Sequence, residues 1–172
     1  MGKITICLAI ALVSAMVQAK ELVVTVNGKE FKLDCTMINH EIKETDRDKG
    51  GQESVMACFF MYFDFLAKGN IQEASKLSTN PAKTVGSLTK LQENTGPEEF
   101  KKLMGKYFYE NHIVLAEIIF EGDTMLVIRK PGGFVAQLYQ KVDGKFFMAN
   151  KAASGTVLGE VLNQLQTGKI KL

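Results

Sequence analysis

Residues 55–67 are apolar at every position except Asp64. As a helix this segment rises about 20 Å, short of the roughly 30 Å hydrocarbon core of a bilayer. A helix apolar on nearly every side and too short to cross a membrane must be wrapped by protein on most of its surface. The rest of the chain therefore has to supply a wall around it. With 46 % apolar and 23 % charged residues over 172 positions, the composition suits one globular core and excludes a disordered or collagen-like chain.

The residues before this helix read as strands. Residues 22–26 and 29–37 are β-type runs joined by Asn27-Gly28, the pair that suits a two-residue hairpin with positive φ at both positions. In the second run Phe31, Leu33, Cys35 and Met37 alternate with polar residues, which turns Cys35 inward. Residues 40–52 are polar, with Asp46, Arg47, Asp48 and Lys49 ahead of Gly50-Gly51, and read as a loop. After the apolar helix, Gly69 is a stop, residues 71–77 read as a short helix ended by Asn80-Pro81, and residues 84–93 as a weak third helix. Gly96-Pro97-Glu98-Glu99 opens another through Met104.

The second half is written in strands: a long run over 107–120, then 124–130, 134–142 and 145–150, separated by turn residues. Residues 156–166 carry apolar positions at helical spacing. The expected fold is α+β in one domain over 20–172: an N-terminal β-hairpin, helices on one face of a curved four-stranded antiparallel meander, and a C-terminal helix.

Residues 1–19 have the build of a signal peptide: Lys3, an apolar run over 4–13, and Val17-Gln18-Ala19 at the cleavage site. The expectation is an exported protein, periplasmic or secreted, with no integral membrane segment once the signal is removed. The mature chain would carry 20 basic against 19 acidic side chains, a net +1, which leaves no electrostatic case for nucleic acid. Loss of Cys7 leaves Cys35 and Cys58, and an oxidising compartment favours a disulfide between them. Two buried thiols are the alternative, since both lie among apolar residues. No metal site is expected, because His40 and His112 show no ligand spacing with the cysteines, and no cofactor motif is present.

The phrase Tyr62-Phe63-Asp64-Phe65-Leu66-Ala67-Lys68-Gly69-Asn70, followed by a second helix and a late meander, resembles nuclear transport factor 2-like domains, a cystatin-like α+β cone. The likeness extends over roughly residues 53–150, with the N-terminal hairpin and C-terminal helix as departures. In that superfamily the ketosteroid isomerases carry a tyrosine oxyanion donor at the position matched by Tyr62. They also need a general-base carboxylate after the second helix and a protonated acid on a strand. Residues 78–83 hold no carboxylate and residues 126–140 hold no Asp or Glu.

Tyr62, His112 and Glu117 are the candidate ligand-binding residues, and no catalytic residue is assigned. His112, with Glu110, is expected on one strand face with Phe108 and Val114. Glu117 is expected beside Ile113, Leu115 and Ile119, as a carboxylate in an apolar pocket that needs a partner or a raised pKa. Asp64 and Lys68 are expected as an exposed i,i+4 pair. The leading function is an exported, non-enzymatic binding protein for a small apolar ligand or a protein partner, with homodimerisation through the outer sheet face. One alternative is an inhibitor or immunity-type protein using the 40–52 loop as a plug. The other is a small isomerase or hydrolase using Tyr62 with His112 or Glu117.

Overall fold

The computed structural model describes residues 18–151 and 155–172. The expected export signal thus falls outside the described residues up to position 17. Its last two residues, Gln18 and Ala19, open strand β1 (Gln18–Val26) opposite Met37 and Thr36.

Asn27 (φ 50°) and Gly28 (φ 77°) turn the chain as their sequence predicts. Strand β2 (Lys29–Glu41) then runs four residues beyond its expected end. After four helices come β3 (Ile113–Phe120), β4 (Asp123–Lys130), β5 (Gly133–Val142) and β6 (Lys145–Met148). All pair antiparallel in the order β1-β2-β3-β4-β5-β6. The sheet is therefore one six-stranded meander, not a four-stranded one with a separate hairpin. The long β2 explains the difference, because its second half supplies the ladder that receives β3, from Asp34 opposite Ile119 to Glu41 opposite Ile113. Register shifts between Met37 and His40 and between Val114 and Ala116 bend these central strands.

Helix α1 (Val55–Ala67) is capped by Ser54, whose side chain accepts from the Ala57 amide. Nine of its thirteen residues are buried, as its composition demands. Helices α2 (Ile71–Lys76), α3 (Pro81–Thr95) and α4 (Pro97–Tyr109) complete its wall. Two sequence expectations are corrected here. Pro81 begins α3 rather than stopping α2, because a proline at the first helical position gives up an amide that has no intrahelical partner. Residues 107–109 end α4 instead of starting a strand. Phe100, Met104 and Phe108 repeat every fourth residue and are all buried, and that stripe prevails over the β preference of the aromatics.

The inner face of the sheet, bearing Val114, Leu126, Ile128 and Tyr139, packs with α1 in one core around Phe59, Phe60 and Phe63. Burying each such side chain contributes roughly 1.5–3 kcal/mol. The outer face forms a second core from Leu22, Val24, Leu33, Cys35, Ile118, Met125 and Val127. Helix α5 (Val157–Gln166) covers it with Leu158, Val161 and Leu165. Helices thus lie on both faces of the sheet, and α5 occupies the outer surface through which dimerisation was expected. No helix among the described residues is long and apolar enough to cross a membrane.

Candidate functional site

The apolar α1 needs neighbours on every side, yet its wall has an opening. Between α1, α3, α4 and strands β5 and β6 lies a cavity of about 390 Å³. Tyr62, Phe63 and Leu66 come from α1, Leu88 from α3, and Leu103, Met104 and Tyr107 from α4. The sheet adds Gln137 and Met148. Its volume lies in the range of small-molecule sites, its lining is mostly apolar with few polar groups, and it is half-open to solvent.

The tyrosine at the matched position of the nine-residue phrase is therefore a cavity residue. Its ring meets Phe63 edge-on at 5.3 Å. Burial, with a smaller contribution from Cys58, pushes its hydroxyl well above the usual tyrosine range. Tyr107 is pushed the same way by burial and stacks against Phe63 at 4.1 Å between centroids. Tyr139, which pairs with Met148 across β5 and β6, is fully buried, and its Oη has no hydrogen-bond partner. Cys58, Tyr62, Tyr107 and Glu117 all lie within electrostatic reach of that hydroxyl. Among the described residues, the side chains of Tyr62, Tyr107, Gln137 and Glu117 also make no hydrogen bond or ion pair within the chain.

Glu117 stands on the inner face, in the cross-strand row Thr36, Glu117, Leu126, Gln137. Burial raises its pKa, as a carboxylate without a counter-charge requires. Its expected neighbours are corrected: the bulge after Val114 sends Leu115 to the outer core while Val114 stays in the inner one. The unbroken alternation assumed from sequence therefore fails at that point. Glu117 does not line the cavity.

His112 is likewise displaced from its expected role. It sits between α4 and β3 rather than within a strand, buried, with its Nδ1 2.9 Å from the Glu110 carbonyl oxygen. Its ring lies 5.1 Å from that of Tyr107, so it supports a cavity wall without lining the cavity. Gln137, Tyr107 and Tyr139 were missed from sequence. Alternation along β5 puts Gln137 on the face of Val135 and Tyr139, but nothing local says that this face meets α1.

The polar 40–52 segment is not a free loop. Glu44–Lys49 forms a 3-10 helix on α1 and α4. Asp46 is 1 % exposed and accepts from the Lys43 amide (2.8 Å) and Lys49 Nζ (2.7 Å), with His40 Nε2 at 2.8 Å. Burial opposes its ionisation, but those contacts, Lys49 foremost, outweigh it and hold the carboxyl below its usual range. The Arg47 guanidinium lies 4.5 Å over the Phe108 ring and reaches Asp64 at 3.3 Å. Asp64 does pair with Lys68 at 2.6 Å, yet it is buried rather than exposed.

The chain has no match among protein-family models, curated proteins or solved structures.

Cys35 and Cys58 are free thiols. The expected bridge is not formed: Cys35 belongs to the outer core and Cys58 to the inner one, with the sheet between them. Cys58 belongs to the inner core, where burial pushes its thiol up to about 12 and disfavours the thiolate that a nucleophile needs. Among the described residues no group of three or more His, Cys, Asp or Glu is placed to hold a metal ion.

Proposed function

We propose that this is an exported binding protein that holds a small, largely apolar ligand in the cavity beside α1, within a fold related to the nuclear transport factor 2-like cones. One observation carries the reading: a ligand-sized apolar cavity into which Tyr62, Tyr107 and Gln137 bring polar atoms with no partner of their own among the described residues. These groups open to the cavity rather than to partners in the chain, and a bound molecule with a polar group can pair with them. The cavity wall carries no carboxylate or imidazole, which favours binding over proton-transfer chemistry at Tyr62. Asp46 and Arg47 hold the fold together, which takes from the inhibitor reading two side chains of its plug.

Titration with Nile red, a neutral dye that brightens in apolar surroundings, tests the reading. The dye is expected to saturate at one site per chain, and native mass spectrometry of the protein recovered without denaturation is expected to show a small-molecule adduct. Leu103→Trp, placed at the half-open rim of the cavity, should weaken dye binding without shifting thermal unfolding. Absence of both dye binding and adduct would overturn the proposal.

A further inference from the structure

We propose that the cavity selects an uncharged ligand whose apolar body carries a hydroxyl or carbonyl group, and that Gln137, with Tyr62 and Tyr107, recognises that group. The inference rests on the binding reading above and specifies its ligand.

The nine lining residues include no Asp, Glu, Lys, Arg or His. A charged head group entering this half-open cavity would lose part of its hydration and meet no counter-charge on the lining. The nearest lysines in sequence, Lys102 and Lys106 on α4, face outward and are paired with Glu99 and Glu110. An ammonium group gains little from Glu117, because the Leu126 side chain stands between it and Gln137 in the cross-strand row.

A neutral polar group finds a complete set of partners. The tyrosine hydroxyls can donate or accept, and the Gln137 amide offers two donors and an acceptor. Gln137 interrupts an apolar row, between Val135 and Tyr139 on the same face of β5, and is half-buried, with its amide facing the cavity without a partner in the chain. The fully buried Tyr139 hydroxyl behind this wall is also without a partner. One ligand hydroxyl or carbonyl at Gln137 would give that amide a partner.

The test is competition against Nile red at neutral pH with four ten-carbon probes: 1-decanol, 2-decanone, decanoate and decylammonium. The alcohol and ketone are expected to displace the dye at concentrations about tenfold or more below those of the ionic probes. Gln137→Leu should weaken decanol about fivefold with an unchanged thermal midpoint, and Gln137→Glu should turn the preference toward decylammonium. Equal displacement by all four probes, or an ionic probe outcompeting decanol in the wild type, would overturn the ligand class and leave the binding reading standing. If neither dye nor probes bind and no adduct is seen, the binding reading falls and this inference falls with it.

Discussion

Two carboxylates, Asp46 and Glu117, have opposite fates, and the difference is one of partners. Asp46 is buried with three polar contacts, so its folded-state pKa lies below its unfolded value. The stability it contributes is complete above the ordinary carboxylate range and is lost as pH falls through the folded pKa. Asp46→Asn is therefore expected to cost about 2–3 kcal/mol at neutral pH, with a flattened acid limb in urea denaturation followed against pH. Glu117 has no partner, and its folded pKa lies above the unfolded one. Ionising it penalises the folded state, so Glu117→Gln should raise the urea midpoint at neutral pH and leave it unchanged once both forms are protonated. Both residues are visible in the sequence as single charges. Their opposite environments are not, because Asp46 gains its contacts within a few residues while Glu117 faces whatever the helix layer lays over it.

At the scale of elements, the legible parts are those whose signal is local. The Asn27-Gly28 turn, the capped α1 and the stripe of α5 follow from turn chemistry, capping and 3.6-residue periodicity. The errors arise where two local signals compete, as at residues 107–109, or where a bulge resets alternation, as at Leu115. Residues 44–49 are the clearest case, since polarity suggested a solvated loop. Arg47 stacks on Phe108, and Gly50 packs so closely on α1 that a Cβ there would lie 2.9 Å from that of Met61. Deleting residues 46–49 is accordingly expected to lower the thermal transition markedly in a melt followed by circular dichroism, whereas a free loop would leave it unchanged.

For the whole molecule, the decisive feature is a sheet buried on both faces, with separate inner and outer cores. That division places Cys35 and Cys58 on opposite sides. Reducing agent should therefore leave the thermal midpoint of the native protein unchanged, and alkylation after unfolding should label both thiols; a reductant-dependent midpoint would reveal a bridge. The sequence by itself determined the α+β class, the apolar helix that must be wrapped, most turns and the presence of Tyr62 on that helix, because each depends on contacts within a few residues. Only the tertiary structure decided that β2 receives β3 in one six-stranded sheet, that α5 covers its outer face, and that Tyr62, Tyr107 and Gln137 meet around one cavity. Those outcomes join residues dozens of positions apart, and the free energy that selects them comes from burying surfaces whose partners no local pattern names.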